Sequence, residues 1–273
     1  MNNMSYSILM TVYDKESPRH LEQAILSMLD QTVPSDDFVL VCDGLLNQQL
    51  NQVIDKYNER LNVVRSVIKL CLSNALNLGL KECKHELVAR MDSDDISLPN
   101  RCERELREFE NHPELTIVSG TIQEFVGEPT GEGLKKKRVL PQNQEDIIRF
   151  SQKRNPFNHP AVMFKKSAVL AIGGYHDDYH RFEDYELWIR MFQNGSVGYN
   201  IPDVVLYMRV SYDFYLRRGG SVFAKDILRF HRYLSHIGWS KRSNLLTCAV
   251  PHALVCLIPN FARKRVYKLL RKK

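Results

Sequence analysis

Glu86-Leu-Val-Ala-Arg90-Met-Asp92-Ser-Asp94-Asp95-Ile-Ser-Leu-Pro99 is a short apolar run that stops abruptly in three carboxylates. Its first six residues, Glu86 to Met91, predict a buried strand, too short and too apolar for a surface helix. Acids gathered at the end of a core strand are costly unless positive charge neutralises them. Oxygen-only ligands suit Mg²⁺ or Mn²⁺ rather than zinc, and such an ion commonly accompanies a diphosphate. Taken alone, the same letters also fit an acidic turn ahead of a helix, with Ser97 as cap and Pro99 in the first turn.

The flanking sequence favours the first reading. Ser7-Ile-Leu-Met-Thr-Val12 is rich in β-formers, and Phe38-Val-Leu-Val-Cys42 is a second such run that stops at Asp43-Gly44. Asn62 to Ile68 predicts a third strand. Helical spacing separates these runs: Leu21, Ile25, Met28 and Leu29 within 17–29, then 48–57, then Ala75, Leu76, Gly79 and Leu80 within 73–82. Strands alternating with helices imply a parallel sheet with right-handed crossovers, and ligands then bind beyond the carboxyl ends of the strands. Asp43 and the Asp92 cluster both fall there. Further along, 101–112 predicts an exposed charged helix, 115–125 a strand-pair region, and 127–137 a mobile loop. Glu145 to Arg154 and Lys165 to Ile172 read as helices, the latter ended by Gly173-Gly174. Ala161 to Phe164 reads as a strand, Glu183 to Gln193 as a strong helix, and Asn200 to Val210 as a last β segment.

Composition sets outer bounds. The 273 residues, 44% hydrophobic and 26% charged, are ordinary for a globular protein with one large α/β domain and an appendage. Six cysteines without a C-x-x-C pair suit reduced thiols of a cytoplasmic protein, and the polar Met1 to Ser5 does not read as a signal peptide. Net charge is +6, yet from Phe214 onward fourteen Lys/Arg face one acid, leaving −7 on the chain before Phe214. The C-terminal segment is thus a separate electrostatic unit suited to an anionic surface.

Several motifs, in order, resemble the family 2 glycosyltransferases of the GT-A fold, especially bacterial enzymes of O-antigen, capsule and amylovoran-type exopolysaccharide synthesis. They are Ser7-Ile-Leu-Met-Thr-Val-Tyr13, Ser27-Met-Leu-Asp-Gln31-Thr32, Val41-Cys-Asp43-Gly44, Ala75-Leu-Asn77-Leu-Gly79-Leu80 and Ala89-Arg90-Met-Asp92-Ser-Asp94-Asp95. Asn158-His159-Pro160, Gly173-Gly174-Tyr175, Glu183-Asp184-Tyr-Glu-Leu-Trp188-Ile-Arg190 and Asn200-Ile-Pro202 complete the set. One departure is Lys69-Leu-Cys71-Leu-Ser-Asn74, which lacks the Asn and Gly that relatives commonly carry there and so leaves donor preference open.

The resemblance implies an α/β GT-A fold: a Rossmann-like, mostly parallel central sheet flanked by helices, with a C-terminal helical basic extension. It divides the chain into a glycosyltransferase domain over 1–210, with a nucleotide-sugar half (1–100) and an acceptor half (101–210), and a basic membrane-associating region over 211–273. It implies an inverting, metal-dependent hexosyltransferase that moves galactose or glucose from a UDP-sugar to a polyprenyl-diphosphate-linked saccharide. Thr11, Val12, Tyr13 and Asp43 would hold the nucleoside, Asp92 and Ser93 the ribose side, and Asp94 with Asp92 the Mn²⁺ or Mg²⁺. Arg90 would add a cation nearby if the strand's alternation turns it to that face. Asp184 would be the general base beside Glu183, at a helix start where the dipole also favours acids. His159, Trp188 and Arg209 are candidates for the acceptor or phosphate side, although the helical spacing of Trp188 from Leu187 and Met191 favours the core over a sugar platform.

The apolar run 245–259 contains two prolines and is shorter than the ~20 residues a membrane span needs. Phe261 to Lys273 carries seven Lys/Arg and no acid, with an apolar stripe that fits a helix lying on anionic lipid. This predicts a peripheral enzyme on the inner face of the cell membrane, where a lipid-linked acceptor is found. Two alternatives remain: a nucleotidyltransferase of similar sheet, and a non-catalytic nucleic-acid binder using the basic tail. The net acidity of the chain before Phe214 and the absence of aromatic–glycine RNA motifs argue against nucleic acid as a partner.

Overall fold

The computed structural model describes residues 4–210 and 219–259. A nine-stranded sheet forms from β1 (Tyr6–Tyr13), β2 (Asp37–Asp43), β3 (Asn62–Arg65), β4 (Leu87–Asp92), β5 (Ile96–Ser97), β6 (Leu115–Phe125), β7 (Leu134–Arg138), β8 (Met163–Lys165) and β9 (Val197–Arg209). Their order is β3-β2-β1-β4-β8-β6-β9-β5, with β7 added along β6. β1 to β4, β6 and β9 run one way, and β5, β7 and β8 run against them. The sheet is therefore mostly parallel, as the strand–helix alternation predicts.

Both faces are covered, which is why the strands are apolar on both sides. On one face α1 (Pro18–Leu29), α2 (Gln48–Lys56) and α4 (Arg101–Asn111) pack over Ile8, Met10, Val12 and Leu40. On the other, α3 (Leu72–Glu82), α5 (Gln144–Ser151), α6 (Lys166–Ala171) and α7 (Glu183–Gln193) pack over Leu9, Val39, Val41 and Val88. Gly79 lets α3 lie close: a Cβ there would sit 2.4 Å from Leu9 Cδ1 and 2.5 Å from Val41 Cγ2. The chain then continues through α8 (Ser221–His236), a turn at Arg242–Asn244 and a π-turn at Leu245–Ala249 into α9 (Val250–Leu257).

Three expectations change. The 127–137 stretch is a short 3₁₀ turn, Gly131–Gly133, followed by β7, because Lys and Arg side chains suit an edge strand whose exposed face is wet. Residues 115–125 form one long strand rather than a pair, since β8 and β7 occupy successive parts of one edge while β9 follows the other. The charged helix α4 is not simply exposed: Arg101 and Glu105 are both 0% accessible and paired at 3.1 Å. Among the described residues, which include all six cysteines, no disulfide forms. The basic tail Phe261–Lys273, and Arg217 and Arg218 among the fourteen basic residues from Phe214 onward, lie outside the described residues.

Candidate active site

Side-chain alternation gathers the predicted donor residues on one face of the sheet. Thr11 pairs in register with Asp92, and Tyr13 with Asp43, so two strand ends meet at the same level. Counting back by twos, Thr11 and Tyr13 share the face of Leu9, Asp43 that of Val41, and Arg90 and Asp92 that of Val88. Val12 points the other way into the core at 1% exposure, so only its backbone reaches the rim. Asp43 Oδ1 accepts the backbone N–H of Leu70 at 2.5 Å, and Lys69 Nζ lies 5.5 Å from the Tyr13 ring centroid. These contacts fix the departing loop, and Cys71 caps α3 in an ordinary extended conformation that needs no glycine.

Asp92, Asp94 and Asp95 each offer a carboxylate oxygen within 4.8 Å of the others. Asp94 and Asp95 lie in the turn from β4 into β5, so the acidic cluster ends a strand and does not open a helix. Burial, then the charges of Asp92 and Glu16, push the Asp94 carboxyl up to about 7. Burial and the two neighbouring aspartates also push Asp95 well above the usual carboxylate range. Asp95 Oδ1 accepts the backbone N–H of Arg209 at 2.7 Å, while its Oδ2 has no hydrogen-bond partner among the described residues. Acids this close and this hard to ionise fit a divalent cation, with Asp92 and Asp94 as the more open ligands.

Glu16 carried no sequence signal. It stands between α1 and the cluster, accepting from the Ser17 N–H at 2.7 Å and, at 3.3 Å, from the Ser93 hydroxyl. Burial raises its carboxyl pKa as well. Arg209 compensates from the far side: Nε donates to the Asp94 carbonyl and Nη2 to Gln23 Oε1, while the guanidinium stacks 4.6 Å from the Phe125 centroid. It is a fixed counter-charge beside the acids.

The second acidic pair begins α7. Asp184 is half-buried, accepts from Asn155 Nδ2 at 2.6 Å, and uses its other oxygen on the Tyr185 N–H. Burial raises its pKa, opposed by the Asn155 hydrogen bond, Arg90 and Arg138. Burial and Asp184 lift neighbouring Glu183 to about 7, and Glu183 Oε2 has no hydrogen-bond partner among the described residues.

Arg90 links the two acidic groups. At 2% exposure it pairs with Asp92 Oδ1 at 2.5 Å. Burial disfavours its charge, but Asp92, Tyr175 and Asp184 around it outweigh that and leave its pKa raised. Its position is set from behind by Arg101, whose Nη2 donates to the Arg90 carbonyl at 2.8 Å and whose Nη1 donates to that of Pro160.

The acceptor-side candidates divide. Trp188 is 0% exposed, packed edge-on to Phe157 and His159, so it offers no face to a sugar and belongs to the core. His159 is buried too, its Nε2 3.0 Å from the Tyr175 hydroxyl. Burial and Arg90 hold it well below the usual imidazole range, so it is a neutral wall of the site. Tyr175, Asn155 and Asn77, which exchanges two hydrogen bonds with the Tyr175 backbone, were not singled out individually in the sequence. The Gly173-Gly174 turn is the signal that could have flagged Tyr175 and Asn77: Gly174 has φ of 76°, and a Cβ there would sit 2.4 Å from Asn77 Oδ1.

The glycosyl transferase family 2 model matches residues 7–171. The UDP-Gal:alpha-D-GlcNAc-diphosphoundecaprenol beta-1,3-galactosyltransferase of Escherichia coli is 35% identical over 96% of this chain and 95% of its own length. The amylovoran biosynthesis glycosyltransferase AmsE of Erwinia amylovora is 38% identical over 83% of this chain and 84% of its own. Among solved structures, a Pyrobaculum calidifontis mannosyltransferase in complex with GDP-Man and Mn²⁺ superposes with a TM-score of 0.63 at 15% identity, covering 98% of this chain and 80% of that one. S. aureus TarS in complex with UDP-GlcNAc gives a TM-score of 0.61 at 18% identity, over 82% and 67%. These structural likenesses establish the GT-A fold. Sequence, fold and the paired acidic groups agree: the chain belongs to the family 2 glycosyltransferases.

Proposed function

We propose that the enzyme transfers galactose or glucose from a UDP-sugar to a polyprenyl-diphosphate-linked saccharide, inverting the anomeric centre. The observation that carries this reading is buried Arg90, which pairs with Asp92 of the first acidic group and also feels the charge of Asp184 in the second. Two separate acidic groups answering to one cation suit one displacement, with a departing diphosphate at the first and a proton acceptor at the second. The acceptor class rests on the Escherichia coli relative, whose name gives a GlcNAc-diphosphoundecaprenol acceptor. The uridine choice rests on the same name. Family membership argues against the nucleotidyltransferase and nucleic-acid-binding alternatives.

Mechanism follows from the side chains. Thr11, the Val12 backbone, Tyr13 and Asp43 line the rim that would hold the nucleoside, and Ser93 and Asp92 the ribose. Asp92 and Asp94 would hold Mn²⁺ or Mg²⁺, which when bound offsets charge growing on the departing diphosphate. Asp184 takes the proton from the acceptor hydroxyl as that oxygen bonds to the anomeric carbon and the carbon–diphosphate bond breaks. Asn155 orients that carboxyl, and Asn155 and Arg90 both oppose the burial that disfavours its charge. Glu183 stands beside it, its own carboxyl lifted by burial and by the Asp184 charge. Arg209 holds the Asp94 turn closed.

A panel of UDP- and GDP-hexoses with a GlcNAc-diphospho-lipid, with Mn²⁺ or with chelator, tests the proposal. Metal-dependent transfer from UDP-Gal or UDP-Glc, giving a β-linked product from the α-linked donor, is expected. Retained configuration would reject the single displacement, and transfer unaffected by chelator would reject the metal.

A further inference from the structure

The general base stands on the first turn of α7, and that turn is gripped by a helix outside the family-model match. Four side chains on one face of α8, Phe223, Asp226, Phe230 and Tyr233, follow the 3-4-3 spacing of a single helix stripe. All four meet the segment 179–186. Phe182, the residue that caps α7, stacks on Phe230 with ring centroids 4.7 Å apart and planes 5° from parallel, and also on Phe223. Tyr179 stacks on Tyr233 at 4.6 Å, Tyr185 packs on Phe230 at 4.9 Å, and the Tyr233 hydroxyl donates to Glu186 Oε1.

Between these aromatic contacts sits Arg181, with φ of 73°, the only non-glycine at positive φ among the described residues. Side chains other than Asn and Asp rarely adopt this conformation unless the surroundings hold it. Here they do: Arg181 Nη1 pairs with Asp226 Oδ2 at 2.5 Å, and its guanidinium lies 5.5 Å from the Phe223 centroid. The turn it makes directs the chain from the exposed 176–180 stretch into Glu183 and Asp184. The other end of the segment is fixed separately, by Asn77 and Ser73 of α3 on Tyr175 and His176.

We infer that Arg181, Asp226 and Phe230 are positioning residues for the general base, so that α8 belongs to the catalytic machinery and is not only a connector to the basic tail. They touch no reacting atom; they act by holding the strained turn that aims Asp184. This rests on the assignment of Asp184 as base.

The test measures transfer per UDP-binding site, with donor affinity followed by titration of UDP in the presence of Mn²⁺. In Asp226→Ala, kcat should fall about 10- to 100-fold while donor Kd stays within about two-fold, the range typical of a lost orienting contact. Asp226→Glu should recover most of that loss. Arg181→Asn tolerates the positive φ but lacks the ion pair, and should match Asp226→Ala. The double variant should be no worse than either single one, as expected for two halves of one contact. Unchanged kcat per UDP-binding site in Asp226→Ala, or donor affinity that falls in step with transfer, would overturn the inference. Asp184→Asn is run alongside. Full transfer by that variant removes the base assignment and this inference with it, whereas an inactive Asp184→Asn beside a fully active Asp226→Ala overturns the inference alone.

Discussion

Each acid of the site is governed by where its neighbours place charge. Asp94 is the sharpest case, because burial, Asp92 and Glu16 together lift its carboxyl to about 7. A folded-state pKa above the unfolded value of ~3.9 adds stability that is complete below the unfolded pKa and is lost as pH rises through 7. Without metal, the thermal midpoint of the wild-type protein relative to Asp94→Asn should therefore drop between pH 5 and pH 8. Mn²⁺ should raise the wild-type midpoint at pH 8 and leave that of Asp94→Asn unmoved. Thermal unfolding of both proteins with chelator and with Mn²⁺ checks this, and a pH-independent difference would remove Asp94 from the cluster. Asp92, Asp94 and Asp184 were legible as residues because their motifs are local: a strand end and a helix start. Glu16 and Asn155 were not, since they reach Ser93 and Asp184 only by tertiary contact, from distant parts of the sequence. Trp188 lies in the core with Leu187 and Met191, as their helical spacing favours, and is not the sugar platform that its ring alone could have offered.

At the scale of elements, the sheet orders the site and two close contacts keep it in register. Gly79→Ala would drive a methyl into Leu9 and Val41, the residues two and four before Thr11 and Tyr13 and two before Asp43. Overpacking of this kind costs about 1–3 kcal/mol, and chemical denaturation should report it together with weaker UDP binding. Loss of stability without loss of binding would mean that α3 shifts and leaves the strand ends in place. Arg101 is the second contact. Its guanidinium satisfies the carbonyls of Arg90, Pro160 and Val162 while paired to fully buried Glu105, whose carboxyl burial lifts to about 7. Arg101→Met leaves Glu105 buried without its partner, a loss on the order of 3–5 kcal/mol. Arg101→Met with Glu105→Leu should recover much of it, as measured by denaturant midpoint. The parallel half of the sheet was readable because apolar strands and amphipathic helices alternate there. β7 was not, since Leu-Lys-Lys-Lys-Arg over 134–138 has a strand's pairing without a strand's composition. α4 misled for the opposite reason: its charges look solvated, and only packing beneath β4 buries two of them.

Across the whole molecule, charge and apolar surface are segregated toward one end. The chain before Phe214 carries −7, and the remainder carries fourteen Lys/Arg against one acid. No helix among the described residues is long and apolar enough to cross a membrane. α9 and the π-turn before it instead lie on α8 through Ala249, Ala253 and Cys256 against Phe223, Ala224 and Ile227, while Leu246, Leu254 and Leu257 stay exposed. We propose that this end meets anionic lipid, with the seven basic residues after Phe261 supplying the attraction. Binding would then combine shallow apolar burial with charge, and salt screens only the second. A cut after Trp239 would strip α9 from α8 and uncover Phe223 and Ile227, so it would confuse lipid binding with misfolding. A cut after Pro259 avoids this, because it removes the basic residues and keeps the helix pair. The full chain should sediment with vesicles containing anionic lipid and be largely released by high salt, at about 1 kcal/mol for each basic residue near the surface. The Pro259 truncation should lose most of that capture and retain UDP binding, because every proposed donor ligand precedes it. Equal capture by neutral and anionic vesicles would reject the electrostatic part, leaving exposed Leu246, Leu254 and Leu257 as the contact.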